Sequence, residues 1–219
     1  MDKNISIYNT GIVSVFLQFL TALLNFYVLF LLEVKLPFIR LLLWLEVFVQ
    51  MIEGGFYTWL FTNFDNIKNI TIVRYYDWFI TTPTMLLTYI LYLLYINSDE
   101  NPNLTVYKAI EDESIEISVV IFLNWLMLLF GYLGESKAIS FVNSTILGFI
   151  PFCIMFYIIY IRYAIKTHIG RITFYFFVII WALYGVANLF NYKNKNIAYN
   201  GLDFFSKNFF AVFLSYLLL

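Results

Sequence analysis

Seven long apolar stretches limit what this chain can fold into. They run over residues 10–32, 37–62, 72–96, 117–134, 138–163, 171–191 and 199–219. A bilayer core of roughly 30 Å needs about 20 apolar helical residues to cross it. Turn and charge signals separate the stretches, among them Lys35 with Pro37, the acidic segment from Ser98 to Glu116, and residues 191–196. The sequence therefore predicts an all-α fold, a bundle of seven transmembrane helices in a single domain over residues 1–219.

The composition excludes several classes of function. Hydrophobic residues make up 62% of the chain and charged residues 12%, whereas soluble domains have about half and about a quarter. Lipid must therefore be the solvent for most of the chain, which excludes a soluble enzyme. A net charge of −1 offers no basic surface to nucleic acid. We expect no enzyme activity, no nucleic-acid partner and no metal site.

The charged loops say little about orientation. With the N-terminus outside, six Lys and Arg residues lie in inner segments and five in outer segments. The positive-inside rule favours that orientation by only one residue.

Six ionisable residues lie within the predicted spans, where lipid normally excludes charge. A charge at the bilayer centre costs on the order of 3 kcal/mol, so such residues either act in function or pair to lock helices together. Asp203 and Lys207 are four apart, and Arg74 and Asp77 are three apart, so each pair shares a helix face. The set consists of Glu46, Glu53, Arg74, Asp77, Asp203 and Lys207.

A lysine in the middle of a span has two chemical uses. Its ammonium can be held in an ion pair, or its amine can form a Schiff base with an aldehyde. A protonated Schiff base in a low-dielectric core needs carboxylate counterions, and Asp77 and Asp203 are the candidates. Aromatic residues make up 22% of the chain and supply walls for a long conjugated hydrocarbon.

Two motifs resemble those of microbial rhodopsins. Residues 74–83, RYYDWFITTP, resemble the third-helix signature R-Y-x-D-W-x-x-T-T-P, and Leu202-Asp203-x-x-x-Lys207 resembles the retinal-lysine motif. Trp181-x-x-Tyr184 matches the aromatic pair of the sixth helix, and residues 130–135 look like the end of helix four in proteorhodopsin-like members. The resemblance implies an integral membrane protein with the N-terminus extracellular, the C-terminus cytoplasmic and all-trans retinal bound to Lys207 as a Schiff base.

The resemblance also implies roles for individual residues. Asp77 matches the primary counterion and proton acceptor, Asp203 the second counterion, and Arg74 the arginine that gates the extracellular half. Thr81 matches the threonine that hydrogen-bonds the acceptor carboxylate. The residues expected to contact retinal are Trp78, Thr82, Met85, Trp181 and Tyr184.

Three positions depart from the pattern of the resemblance. Thr88 stands where classical outward proton pumps have a carboxylate, and a threonine cannot deliver a proton by its own ionisation. Gly185 replaces the sixth-helix proline, and Asn188 replaces an aromatic residue of the pocket. Fast reprotonation from position 88 is therefore in doubt, whereas chromophore binding is not.

A polar stripe on the second span leaves the transport mode open. Glu46 and Glu53 are seven apart and share one helix face, with Ser14 and Asn196 as further candidates for the same path. The stripe can line a path for cations, which predicts a light-gated cation channel. Alternatively, Glu46 replaces the missing donor of an outward proton pump with Asp77 as acceptor. In a structural alternative, both glutamates are protonated and hydrogen-bonded to a neighbouring helix.

A chain with this pair of glutamates on the second span resembles the rhodopsins encoded by large DNA viruses of algae. Some of those proteins are light-gated cation channels, and others have been viewed as proton pumps. A photosensory receptor with a separate partner protein is a further alternative. The expected partners are the lipid bilayer of a cell or host membrane, retinal, and monovalent cations or protons. The resemblance leaves a homo-oligomer open, since family members are often trimers or pentamers.

Overall fold

A computed structural model describes residues 5–31, 36–99 and 103–219 of the chain. The predicted break at Lys35 and residues 100–102 of the acidic segment lie outside this part. Every regular element in the described residues is a helix. The helices are α1 Ile5–Leu31, α2 Pro37–Thr62, α3 Ile70–Asn97, α4 Val106–Asp112, α5 Ser114–Glu135, α6 Phe141–Arg162, α7 His168–Asn188 and α8 Tyr192–Leu218.

The expectation of an all-helical chain is confirmed, and the long helices follow the predicted spans closely. The second span, 37–62, agrees with α2 to the residue. The seventh span corresponds to α8 because the acidic segment contains the short helix α4, which the sequence analysis did not predict. The side chain of Thr105 caps α4 by accepting a hydrogen bond from the Lys108 amide at 3.2 Å.

The predicted loop at residues 191–196 is wrong. α7 already ends at Asn188, and α8 begins at Tyr192, seven residues before the predicted span. The side chain of Asn191 accepts a hydrogen bond from the Asn194 amide at 3.0 Å, which is a standard helix N-cap. Asn196 therefore lies within a helix, where it is fully buried.

Five of the described helices are long and apolar enough to cross a membrane, namely α1, α3, α5, α6 and α7. α2 and α8 have similar lengths, 26 and 27 residues, but they hold many of the buried polar side chains. Because these polar side chains are buried, they face protein.

The chain folds as two compact units. Unit 1 consists of Met1–Asp77 and Ile179–Leu219, and unit 2 of Trp78–Val178, so the boundaries fall within α3 and α7. Within unit 1, α1 packs against α2 and α8, and α2 packs against α8. A small apolar cluster at one end of unit 1 contains Ile7, Tyr57, Leu60, Phe64 and Ile70. The single domain over 1–219 stays a prediction.

Unit 2 is held together mainly by apolar and aromatic packing. α5 and α6 pack against each other, and a Cβ atom at Gly134 of α5 would overlap the side chain of Ser144 of α6. Glycine is therefore needed for this close approach of the two helices. The rings of Tyr89 and Phe177 stack with their centroids 4.5 Å apart.

Candidate functional site

Lys207 lies at the centre of a buried ionic cluster in unit 1. Its Nζ atom is 2.6 Å from Asp77 Oδ2 and 3.0 Å from Glu53 Oε1. Asp203, one turn earlier on α8, is 4.0 Å away through Oδ1. These four side chains are at most 1% exposed. The sequence analysis proposed Asp77 and Asp203 as counterions, and the structure places both beside Lys207.

Glu53 is the third carboxylate at Lys207, which the sequence analysis did not foresee. It was assigned to a polar path on the second span, because its spacing from Glu46 fixes a helix face but not the helix opposite. The packing of α2 against α8 places this face next to Lys207. Lys207 forms an ion pair with Glu53, and among the described residues neither Glu53 oxygen accepts a hydrogen bond.

Arg74 makes an ion pair with Asp203. Its Nη1 atom lies 2.9 Å from Asp203 Oδ2, and both side chains are 1% exposed. Nη1 also donates to Tyr57 Oη at 2.5 Å. Nε donates to Asn196 Oδ1 at 3.3 Å, and Nη2 donates to Asn200 Oδ1. Four donor positions of the guanidinium are thus engaged, out of five.

Two tyrosines complete the environment of Asp203. Tyr57 donates to Oδ2, and Tyr184 donates to Oδ1 at 2.7 Å. The Tyr184 hydroxyl also lies 2.8 Å from Ser206 Oγ. Tyr184 was predicted as a retinal contact, whereas Tyr57 was missed. The available signal was its position four residues after Glu53, on the same face of α2.

The predicted path residues Ser14 and Asn196 both lie in the half of unit 1 that contains the N-terminal turns of α8. Ser14 donates to the backbone carbonyl of Asn200 at 2.9 Å, and Asn196 donates to Thr71 Oγ1 at 3.0 Å. Asn200, which was not predicted, lies one turn after Asn196 on α8. We call this region, between Asp203 and the start of α8, the outer half, after the expectation that the N-terminus is extracellular.

The other half of unit 1 contains a chain of amide side chains. Asn25 donates to Gln50 Oε1 at 2.9 Å, and Gln50 donates to Asn208 Oδ1 at 3.5 Å. Ser215 donates to Asn25 Oδ1 at 2.8 Å. Glu46 is fully buried and lies one turn from Gln50 on α2. The amide of Gln50 therefore separates the two glutamates along this helix face.

The remaining predicted residues lie in unit 2, except Trp181, which is 8% exposed in unit 1. Trp78 and Met85 are buried, as are Thr81 and Thr88. Thr82 donates to the Trp78 carbonyl at 2.7 Å and accepts from Asn124 Nδ2 at 2.8 Å. The role of each of these residues stays a prediction.

Comparison with known proteins gives a consistent picture. A family model described as "Bacteriorhodopsin-like protein" matches residues 9–219, whereas comparison with the curated proteins gives no significant match. The crystal structure of viral rhodopsin OLPVRII is 27% identical, covers 96% of each chain and superposes with a TM-score of 0.83.

More distant likenesses show the same fold. A blue light-absorbing proteorhodopsin from Med12 is 17% identical and covers 97% of this chain and 96% of its own, with a TM-score of 0.76. Xanthorhodopsin, described as a light-driven ion pump with dual chromophore, is 16% identical, with 97% and 92% coverage and a TM-score of 0.75. The apolar helices and these matches describe an integral membrane protein with the microbial rhodopsin fold.

Proposed function

Because the chain belongs to the bacteriorhodopsin-like protein family, we propose that it is a light-gated cation channel with all-trans retinal bound to Lys207. The observation that supports this most directly is the cluster of two buried cations and three buried carboxylates around Lys207. We further propose that the N-terminus is extracellular and that the seven long helices all cross the membrane.

The residues around Lys207 fit a covalently held aldehyde. Lys207 offers a primary amine that is 1% exposed, next to carboxylates that balance a positive charge at Nζ. Tyr184 and Trp181 provide aromatic surface in the same unit. When bound, retinal would supply the absorption of visible light and a change of shape at the end of the Lys207 side chain.

The charges of the cluster support a resting state in which one carboxyl group holds a proton. Arg74 and Lys207 supply two positive charges, against three carboxylates, and a buried net charge is costly. Asp203 accepts from Arg74, Tyr57 and Tyr184, and Asp77 accepts from Lys207 at 2.6 Å. Glu53 has the fewest hydrogen-bond donors. We therefore place the proton on Glu53.

The path for cations follows α1, α2 and α8 within unit 1. It passes from Asn196 and Ser14 in the outer half to Glu53, then past Gln50 to Glu46. Carboxylate and carbonyl oxygens along a pore favour cations. In the resting protein, the ion pair of Arg74 with Asp203 and the amide chain at Gln50 interrupt this path.

A second candidate, a light-driven outward proton pump, is favoured by the short distance from Lys207 Nζ to Asp77. A carboxylate at 2.6 Å is within reach to accept a proton from that nitrogen. Glu46 would then return a proton from the cytoplasmic half. Gln50 lies between Glu46 and Lys207, and its amide has no titratable proton, so this relay needs water around Gln50.

The experiment that separates the two candidates is whole-cell recording under illumination at varied voltage and ion gradients. A channel gives photocurrents whose reversal potential follows the cation gradient. A pump gives outward current near zero driving force and acidifies the medium. Outward current that never reverses would reject the channel.

Glu46→Gln sharpens this test because it removes one potential charge and keeps the side-chain volume. In a channel it changes cation conductance and selectivity. In a pump it slows reprotonation after the flash, and added azide, a diffusible proton donor, restores the rate. Thr58→Val is the control on α2, since among the described residues this exposed hydroxyl donates only to the Gly54 carbonyl of its own helix. A Glu46→Gln protein with unchanged currents and photocycle would remove Glu46 from both mechanisms.

A further inference from the structure

Arg74 has the bulkiest fully buried side chain among the described residues of the outer half. Residues of α8 hold its guanidinium in place. It lies against the rings of Tyr57 and Tyr199, with Cζ 5.4 and 5.9 Å from their centroids. Tyr57 and Asp203 both bind Nη1, so they fix one edge of the guanidinium. The opposite edge, at Nη2, is held by Asn200.

Asn200 also connects Arg74 to α1. While its Oδ1 accepts from Arg74, its Nδ2 donates to the Ile7 carbonyl at 2.9 Å and to Thr10 Oγ1 at 2.8 Å. Its backbone carbonyl accepts from Ser14. The side chain is 1% exposed, and both ends of its amide are engaged. One residue thus links the guanidinium to the N-terminal turns of the first helix.

Asn196 makes a useful contrast one turn earlier on α8. It binds Arg74 at Nε, at the longer distance of 3.3 Å, and donates to Thr71 and to the Tyr192 carbonyl of its own helix. These partners lie on α3, as Arg74 does, and on α8. Of the two asparagines, Asn200 is therefore the one that ties the position of Arg74 to α1.

We propose that Asn200 is a positioning residue that holds Arg74 across the outer half of the path and couples this barrier to α1. The proposal rests on the proposed function, because a barrier is meaningful only where ions move. A bound guanidinium obstructs the outer half by its volume and repels cations by its charge. Displacement of Asn200 from Nη2 frees one edge of it, so that Arg74 can turn towards solvent and open the outer half.

The test is the dark conductance of the full-length protein, measured with and without added retinal and divided by the amount of protein in the membrane. Asn200→Ala removes the contact with Nη2 and both side-chain contacts with α1, to the Ile7 carbonyl and Thr10. A hydrogen bond to a charged group corresponds to a shift of about ten-fold in the ratio of held to released Arg74. We expect the dark cation conductance to rise by about that factor.

Asn200→Asp separates positioning from packing. A carboxylate still accepts from Arg74 but cannot donate to the Ile7 carbonyl, so we expect dark conductance within about two-fold of the original protein. Asn200→Leu has a similar volume but accepts no hydrogen bond from Arg74, so we expect it to leak like Asn200→Ala. Dark conductance of Asn200→Leu equal to that of the original protein would show that Asn200 acts by packing alone and would overturn the proposal. Thr58→Val, which removes a hydroxyl that donates to the Gly54 carbonyl within α2, is the control for a hydroxyl lost outside the barrier. Asn200→Ser, too short to reach both partners, replaces Asn200→Ala if the latter gives no protein.

Three further results would overturn the proposal. One is dark conductance in Asn200→Ala and Asn200→Ser equal to that of the original protein. Another is an Asn200→Asp protein that leaks as much as Asn200→Ala. The third is a Thr58→Val protein that leaks to the same extent. Failure of the proposed function looks different, because the unsubstituted protein would then give either no light-dependent current or an outward photocurrent that never reverses.

Discussion

The two units of this protein differ in the kind of polar side chain that they bury: ionisable ones in unit 1 and neutral ones in unit 2. The described buried side chains with a formal charge all lie in unit 1, namely Glu46, Glu53, Arg74, Asp77, Lys195, Asp203 and Lys207. The buried polar side chains of unit 2 are neutral: Thr81, Thr88, Asn124 and Ser144. Unit 2 is therefore stabilised by packing of neutral side chains, and unit 1 by charges that must remain balanced. The contrast predicts that equal substitutions have unequal effects in the two units.

The largest effect is expected at Lys207. Lys207→Ala removes the nitrogen proposed to form the covalent bond with retinal, so no visible absorption band should form when all-trans retinal is added. Lys195→Ala is the matched control, a second buried lysine on the same helix, whose Nζ donates to Asn188. It should keep the band. A visible, covalently attached pigment in Lys207→Ala would remove Lys207 from the proposal.

The next largest effect concerns the stability of the buried ion pair. Arg74→Ala removes the cation at 2.9 Å from Asp203 and leaves that buried carboxylate only the more distant Lys207, at 4.0 Å. Breaking a buried ion pair in this way costs about 3–5 kcal/mol. The free energy of unfolding can be measured by titration with denaturing detergent, with helix content by circular dichroism as the signal. A loss below about 1 kcal/mol would mean that Asp203 finds a replacement partner and that the charges of unit 1 are less interdependent than its contacts suggest.

A smaller effect is expected for a buried polar contact in unit 2. Asn124→Leu removes the hydrogen bond to Thr82 Oγ1 while Thr82 keeps its bond to the Trp78 carbonyl. The expected cost is about 1 kcal/mol, by the same detergent titration. Asn143→Leu, at an exposed position of the same unit, should change stability by less than about 0.5 kcal/mol. A loss at Asn124 as large as that at Arg74 would contradict the contrast between the units.

The smallest effect is expected for the surface ion pair of unit 2. Arg162 of α6 pairs with Glu116 in the first turn of α5, and the two side chains are 50% and 27% exposed. Arg162→Ala should cost at most about 1 kcal/mol, and less at high salt. It is the counterpart of Arg74→Ala, the same substitution in the other unit. An equal loss of stability in both variants would show that burial does not set the cost.

Much of the fold could be predicted from the sequence because a bilayer imposes a length on apolar helices. The second span was correct to the residue. Errors arose where a helix boundary is set by side-chain hydrogen bonds and not by hydropathy. The start of α8 was placed seven residues late because residues 192–198 are polar. The Asn191 cap and the buried contacts of Asn196 stabilise these residues as a helix. A hydropathy pattern indicates neither interaction.

The candidate site was predictable along each helix but not between helices. The i to i+4 spacing placed Asp203 beside Lys207, and the third-helix motif identified Asp77. The contact of Glu53 with Lys207 and the contacts of Asn200 were not predicted, because they depend on which helix lies opposite. Spacing fixes the face of a helix, but the partner of that face is decided by packing.

The polar faces of α2 and α8 have a consequence for the synthesis of the chain. Each Asp or Lys at the centre of a helix costs about 2.5–3.5 kcal/mol on insertion into a membrane, and α8 contains both Asp203 and Lys207. Such a helix inserts most readily when the helices that supply its polar and charged partners are already in the bilayer. α8 emerges after all other described helices, and it packs against α1 and α2. We therefore expect α5 and α6 to assemble during translation. Unit 1 is expected to form only after α8 has been synthesised and packs against α1 and α2.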